Sequence, residues 1–191
     1  MSYAPLKPED AVILFADLQA GIIERAPTIE VDRLRRAVAG LAKLARLFDI
    51  PVVVTTAAVG GGPPQVMPEI AAALGDLPPH ARTTTDAFLH PPTREAILGA
   101  GRKTLIVSGV ATEVIVLHSA LSGVAHGFAV QVAVDACGGI SPRTEDAALR
   151  RLVQAGVAPT SIGSLAGQLA GDFTEARGAQ ALRVLYEMAG R

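Results

Sequence analysis

The sequence is poor in cysteine, aromatic residues and lysine, and each shortage excludes a class of structure or chemistry. Its one cysteine, Cys137, can neither form an internal disulfide nor build a zinc site from several thiolates. With 5 Phe, 2 Tyr and no Trp, aliphatic side chains must fill the core, which favours helices packed on a sheet rich in Val and Ile. The three lysines, Lys7, Lys43 and Lys103, leave few residues for lysine-based catalysis.

An excess of charge of one sign is also lacking. The 17 basic and 18 acidic residues give a formal net charge of −1, so charge provides no reason to expect nucleic acid or a membrane as partner. Residues 1–10 lack the pattern of a secretory signal. The uncharged stretch 114–134 fits a helix, a turn and a buried strand better than a membrane span. We predict a cytoplasmic protein with a single domain over residues 1–191.

Short apolar runs alternate with longer amphipathic segments along the chain. The run Ala11–Ala16 is typical of a strand buried on both faces. The predicted strands cover 11–16, 51–55, 78–82, 104–108, 128–134 and about 157–160. The predicted helices cover 31–48, 68–74, 93–100 with Thr93 as N-cap, 112–125, 142–155 and one or two C-terminal segments. This alternation predicts a three-layer, Rossmann-like α/β fold with about six parallel strands and helices on both faces.

Ligands bind such sheets at the carboxyl ends of the strands, so the residues after each apolar run are the candidates for chemistry. Asp17 follows the first strand, where partial burial would raise its pKa and suit a general acid or base, although an aspartate there is equally often a cap. Arg82 would reach the same edge from a short third strand, although an isolated arginine is usually a surface charge. Thr56 comes directly after the second strand and is a candidate for a polar pocket wall, although threonine at a strand end more often reflects simple strand preference.

The segment Gly109–Ile115 turns directly from the fourth strand into a helix. The unpaired amides of such a turn form a natural anion or oxyanion site, but the segment is not a dinucleotide fingerprint. Lys103 precedes this strand and is predicted to lie at the opposite end of the sheet. Asp135 is expected to cap or tie the turn after the fifth strand. The histidines lack the spacing of metal ligands, so we predict no metal and no cofactor; they are His80, His90, His118 and His126.

Four motifs appear in order at the strand ends. They are Asp17-Leu18-Gln19, Arg82 with Asp86-Ala87-Phe88, Gly109-Val110-Ala111-Thr112-Glu113-Val114, and Asp135-Ala136-Cys137. Together they resemble the isochorismatase-like superfamily, also called the cysteine hydrolases, over residues 8–160. Residues 18–23 and Arg82 are most similar to an uncharacterised, oligomeric bacterial branch. The resemblance implies an isochorismatase-like hydrolase fold, a small-molecule substrate, no cofactor and a homo-oligomer.

The resemblance also implies a catalytic triad of Asp, Lys or Arg, and Cys. Asp17 would accept the proton of the thiol, and Arg82 would supply the cation. The backbone N–H groups of Ala111 and Ile115 would hold the oxyanion, and the Val110–Ala111 peptide would be cis. The remaining residues expected in the pocket are Gln19, Thr56, Phe88 and Thr112.

The cysteine nucleophile that the resemblance implies is missing from its expected position. Three residues after Thr112 stands Ile115, which has no nucleophilic atom, so a thioester mechanism is excluded there. Cys137 follows a different strand and does not replace it. Isochorismatases of the superfamily usually have glycine at this position, with the equivalent of Asp17 as proton donor. The bulk of Ile115 and the single cation Arg82 disfavour isochorismate itself as substrate.

Two functions from different classes therefore follow. The first is a hydrolase of a small organic substrate that uses Asp17, Arg82 and water. The alternative is a catalytically inactive member that binds a small ligand or serves as an oligomeric structural protein. A metal-dependent hydrolase is a distant third. The uncharged helix 114–125, rich in small and aliphatic residues, favours a surface buried in a homo-oligomer, with no nucleic acid or membrane partner.

Overall fold

A computed structural model describes residues 5–58 and 64–188 of the chain. The strands are β1 (Ala11–Ala16), β2 (Val52–Ala57), β3 (His80–Arg82), β4 (Thr104–Val110), β5 (Ala129–Gly138) and β6 (Ala158–Thr160). The α-helices in these ranges are α1 (Val31–Leu47), α2 (Pro68–Leu74), α3 (Pro91–Gly99), α4 (Leu117–Ala125), α5 (Pro142–Gln154), α6 (Ile162–Ala170) and α7 (Ala176–Met188). Within them, no helix is both long enough and apolar enough to cross a membrane.

The six strands form one parallel sheet in the order β3-β2-β1-β4-β5-β6. From β1 the chain builds outward to β3, then returns to the other side of β1 for β4 and continues to β6. The strand order therefore reverses between β1 and β4, and a crevice forms above their carboxyl ends. The predicted α/β fold with about six parallel strands is confirmed.

Both faces of the sheet are covered, which explains the uninterrupted apolar run of β1. Successive side chains of a strand point to opposite faces. Ile13 and Phe15 accordingly belong to the core cluster that contains residues of α1, α6 and α7. Val12 and Leu14 belong to the cluster that contains residues of α3, α4 and α5. Each of these four side chains is at most 1% exposed, so β1 forms the centre of a three-layer structure.

Gly109 allows β4 to approach β1 closely at the edge of the crevice. A Cβ atom at this position would collide with the carbonyl oxygen of Ala16 at the end of β1. Any larger residue would therefore push the two central strands apart where their ends form the site.

Several predicted boundaries are wrong, each for a local reason. Thr93 is not an N-cap, because α3 begins at Pro91 with His90 as its cap residue, and proline suits the first helical position. The predicted helix 112–125 begins with a π-helical turn over Thr112–Val116 before α4. The sequence Gly60-Gly61-Gly62-Pro63-Pro64 predicts a flexible loop; apart from Pro64, this segment lies outside the described residues.

The predicted role of Asp135 in a turn after the fifth strand is also wrong. Strand β5 continues through Gly138, and Asp135 lies inside it, where the pairing with β4 shifts its register. Its carboxylate accepts hydrogen bonds from the backbone N–H of Ile162 at 3.0 and 3.1 Å. Asp135 therefore accepts the N–H of the first residue of α6, whose N-cap is Ser161, instead of tying the turn that follows β5.

Candidate active site

A cavity of about 300 Å³ lies at the carboxyl ends of the central strands. The described residues that line it are Asp17 after β1, Ala57 and Ala58 at the end of β2, Arg82–Thr85 from β3 onward, and Val110, Ala111, Val114 and Ile115 after β4. A larger cleft of about 480 Å³ between α1, α2 and α7 contains none of these strand-end residues. The smaller cavity is the candidate site, because it lies where the strand order reverses.

Asp17 and Arg82 form a buried ion pair in this cavity. An Nη2 N–H of Arg82 donates to Asp17 Oδ2, and the Thr55 hydroxyl donates to Asp17 Oδ1 at 3.0 Å. The Arg82 and Asp17 side chains are only 3% and 6% exposed. Arg82 from β3 and Thr55 from β2 thus both bind the carboxylate of Asp17, which follows β1. Their positions at the carboxyl ends of neighbouring strands predict this meeting.

The electrostatics of Asp17 result from a balance of opposing effects. Burial raises the pKa of Asp17 above its ordinary value, and the guanidinium of Arg82 and the hydroxyl of Thr55 offset part of that rise. A carboxyl group with a raised pKa gives and takes a proton closer to neutral pH than an exposed one does. Asp17 can therefore act as a proton donor or acceptor toward a molecule in the cavity.

The backbone holds Asp17 in an unusual conformation. Its φ angle is 56°, in the left-handed region that aspartate tolerates better than most residues. The Asp17 N–H donates to the carbonyl of Thr55 at 3.1 Å, and the Gln19 N–H donates to the carbonyl of Asp17 at 3.0 Å. Asp49 after α1 has a similar φ angle of 54° and lies outside the cavity lining, so this conformation alone does not mark a functional residue.

The other wall of the cavity comes from the π-helical turn after β4. The Val110–Ala111 peptide is cis, as the family resemblance implies. The N–H of Val116 reaches the carbonyl of Ala111 at 3.4 Å, the spacing of a π-helical turn. Ile115 is 1% exposed and lines the cavity without filling it. The position of the missing nucleophile is therefore an apolar part of the wall.

Comparison with known proteins identifies the family. The profile of the Isochorismatase domain matches residues 11–164. The chain belongs to the isochorismatase family. It is 37% identical over 155 residues to the probable hydrolase YcaC of Escherichia coli, covering 81% of this chain and 74% of that protein.

Two solved structures agree with this assignment. The crystal structure of the YcaC gene product from E. coli is described as an octameric hydrolase of unknown specificity. It has a TM-score of 0.90 and 33% identity, over 100% of this chain and 95% of that one. YcaC from Pseudomonas aeruginosa, with hexane-2,5-diol and covalent acrylamide, also has a TM-score of 0.90. Its identity is 31%, over 100% of this chain and 96% of that one.

Two residues predicted for the isochorismatase-family pocket support its walls from behind. The Gln19 amide donates to the carbonyl of Ala57 at 3.0 Å and accepts from the Ala57 N–H at 2.9 Å, which fixes the end of β2. The Thr112 hydroxyl donates to Glu145 at 2.8 Å, which ties the π-helical turn to α5. Neither is among the described lining residues, so both act on the cavity through the segments that they hold.

The other two predicted pocket residues, Phe88 and Thr56, also lie outside the described lining. Phe88 is 3% exposed, stacks on His126 at 4.7 Å between ring centroids, and shares a core cluster with Ile115. Thr56 is fully buried within β2. Both side chains are buried in the interior rather than on the wall of the cavity.

Sequence reasoning missed the threonines beside Arg82. Thr83, Thr84 and Thr85 line the cavity, and the Thr84 hydroxyl donates to the carbonyl of Asp86 at 2.8 Å. Because they directly follow β3, the rule that pointed to Arg82 could also have found them. It identifies the segment, but not which of its side chains face the crevice.

The remaining strand-end residues lie away from the cavity lining. Cys137 is buried beside Gly109 in the sheet, and burial raises the pKa of its thiol to about 12. Lys103 is 85% exposed at the opposite end of β4, as predicted. Among the described residues, no group of three or more His, Cys, Asp or Glu could hold a metal ion.

Proposed function

We propose that this isochorismatase-family protein hydrolyses a small organic substrate with Asp17, Arg82 and water, without a cysteine nucleophile. The observation that carries the proposal is the buried Asp17–Arg82 pair in the wall of a cavity of about 300 Å³. The raised pKa of Asp17 fits a group that exchanges protons with a bound molecule. Ile115 leaves water as the nucleophile that this mechanism requires.

The proposed reaction is the addition of water to the reacting carbon of the substrate, followed by loss of the leaving group, without a covalent bond to the protein. Asp17 accepts one proton as the water oxygen bonds to the electrophilic carbon of the substrate. Asp17 then returns that proton to the leaving heteroatom as its bond to carbon breaks, so the carboxylate ends unchanged. Arg82 keeps the carboxylate oriented through its hydrogen bond. The backbone N–H groups of Ala111 and Ile115 are proposed to stabilise the negative charge that develops on the substrate.

The relatives support the proposed substrate class and assembly. The E. coli YcaC structure is that of a hydrolase, and P. aeruginosa YcaC holds two small uncharged molecules. The octameric state of E. coli YcaC supports the proposal that this chain also forms a homo-oligomer. Light scattering on the purified protein tests the assembly, and a mass equal to one chain would contradict it.

Asp17→Asn tests the mechanism when it is compared with Asp135→Asn. Both changes neutralise a carboxylate whose pKa is raised by burial, but only Asp17 lines the cavity. On a panel of small amides, ureas, esters and vinyl ethers, we expect Asp17→Asn to lower kcat/KM at least about 100-fold, the usual contribution of general acid–base catalysis. Asp135→Asn should stay within a few-fold of wild type. Equal losses in the two variants would contradict the proposal.

The second function, ligand binding without turnover, is favoured by one observation. The residue at the nucleophile position, Ile115, can take no part in covalent chemistry. If the compounds of the panel bind to the wild-type protein and none of them is converted, ligand binding is the function and the proposed hydrolysis is contradicted. Turnover that depends on Asp17 excludes the binding function as the complete account.

A further inference from the structure

The cavity has one polar wall and one apolar wall, and the topology separates them. The polar wall is the segment Arg82–Thr85 after β3, in which Thr83 and Thr85 are exposed at the rim. The apolar wall is formed by Val110, Val114 and Ile115 after β4. Strands β2 and β1 lie between β3 and β4, so at the usual strand spacing the two walls start roughly 14 Å apart. A ligand between them meets hydroxyl groups on one side and aliphatic side chains on the other.

The ionic groups of the lining neutralise each other. Asp17 and Arg82 are the charged residues among the described lining residues, and they are hydrogen-bonded to each other in a buried pair. A ligand carboxylate would gain attraction from Arg82 but would suffer repulsion from Asp17, and a ligand ammonium would meet the reverse. Either ion would also lose its hydration against the apolar wall. The net electrostatic gain from a charged ligand is therefore small, while its desolvation cost remains.

We infer that the site selects an uncharged, amphipathic substrate and binds it in one direction. Its aliphatic part packs on Val114 and Ile115, and its polar reacting group lies toward Asp17 and the threonine segment. This inference rests on the proposed function, because it takes the same cavity as the substrate site. It gives Ile115 a positive role as a specificity-determining residue that supplies apolar contact where the family resemblance implies a nucleophile.

Binding of three ligands of nearly equal shape tests the inference in the wild-type protein. The probes are 3-methylbutanamide, which is neutral, 3-methylbutanoate, which is an anion, and 3-methylbutylammonium, which is a cation. Titration at pH 7, followed by calorimetry or ligand-observed NMR, should show the amide bound at least tenfold more tightly than either ion. Tighter binding of either ion would overturn the inference. Absence of detectable amide binding up to its solubility limit would overturn it as well.

Two substitutions test the physical cause of the preference. Asp17→Asn leaves the Arg82 charge unpaired, so the affinity for the carboxylate should rise at least tenfold relative to that for the amide. Ile115→Thr places a hydroxyl in the apolar wall and should weaken amide binding several-fold, while Ile115→Val, which has the shape of threonine but stays apolar, should weaken it less. An unchanged charge preference in folded Asp17→Asn would overturn the electrostatic argument. If Asp17→Asn does not fold, the wild-type comparison still decides.

The outcomes separate this inference from the proposed hydrolysis. If the wild-type protein prefers the neutral probe but converts no substrate, the inferred selectivity is supported and the proposed hydrolysis is contradicted. If the protein hydrolyses a charged substrate through Asp17, the proposed hydrolysis is supported and the inferred selectivity is contradicted. The binding measurements need no turnover, so each conclusion can fail alone.

Discussion

The end of β1 and the end of β5 look alike in the sequence and differ in the structure. Each carries an aspartate after apolar residues, and burial raises the pKa of both carboxyl groups. Asp17, in a left-handed conformation, is bound to a guanidinium and a hydroxyl and lines the cavity. Asp135 lies within its strand and accepts hydrogen bonds from a backbone N–H of α6.

Burial alone therefore does not show whether a carboxylate faces a ligand cavity or only stabilises the fold. Asp135 accepts a hydrogen bond from a backbone N–H in the first turn of α6, whereas Asp17 pairs with Arg82 beside the cavity, which is the arrangement that the proposed proton transfer requires. Substitutions around Asp17 should therefore affect turnover and the preference of the cavity for neutral over charged ligands. Substitutions around Asp135 should affect only the stability of α6.

Arg82→Met should have the largest effect on stability. Removing one partner of a buried ion pair leaves the other charge without compensation, so we expect a loss of about 3 kcal/mol in the free energy of unfolding at pH 7. Arg150→Met is the matched control, because Arg150 pairs with Asp146 on the exposed face of α5. That control should cost less than about 1 kcal/mol. Urea unfolding measures both, and equal losses would contradict a special role for the buried pair.

The loss in Arg82→Met should depend on pH in a defined direction. Arg82 lowers the pKa of Asp17, so its removal leaves burial to raise that pKa further. A carboxyl group whose folded pKa is raised contributes stability below its unfolded pKa, and that contribution disappears as pH rises through the folded pKa. The deficit should therefore be greatest near neutral pH and should shrink as pH falls toward the ordinary value of 3.8. A deficit that grows on acidification would contradict this assignment.

Asp135→Ala should have a smaller effect that is confined to stability. It removes the acceptor for the Ile162 N–H at the start of α6, and loss of such a hydrogen bond costs about 1 kcal/mol. Asp135→Asn keeps an acceptor oxygen and should lose less. Thermal unfolding measures the stability of both, and turnover or probe binding should remain near wild type. A large loss of function without a loss of stability would place Asp135 in the site after all.

The sequence is sufficient for the features that depend on local patterns. The buried run of β1 predicts a central strand, and the residue that follows such a strand must lie at the edge of the sheet, which identifies Asp17. The same argument identifies Arg82, although β3 is only three residues long. The cis peptide at Val110–Ala111 follows only from the resemblance to the family, and the π-helical turn over Thr112–Val116 is predicted neither by the resemblance nor by any periodicity.

The features that the sequence does not reveal depend on contacts between distant segments. Asp135 lies where the pairing of β5 with β4 shifts its register, and its hydrogen-bond partner, Ile162, belongs to α6. Gln19 looks like a polar pocket residue, yet its amide satisfies the backbone of Ala57 on the next strand. In both cases the partner is set by tertiary packing and is invisible to a local pattern.

Cys137 provides the test with the smallest expected effect. With a pKa of about 12, its buried thiol is almost wholly protonated at pH 8, with a thiolate fraction on the order of 10⁻⁴, so it cannot serve as an efficient nucleophile. Cys137→Ala should therefore leave turnover unchanged. In the wild-type protein, iodoacetamide should modify Cys137 only after unfolding in urea, whereas in Ile115→Cys/Cys137→Ala the new thiol lines the cavity and should react in the folded state. Rapid modification of folded wild-type protein, together with loss of turnover, would show that the end of β5 carries chemistry and that the contrast with β1 does not hold.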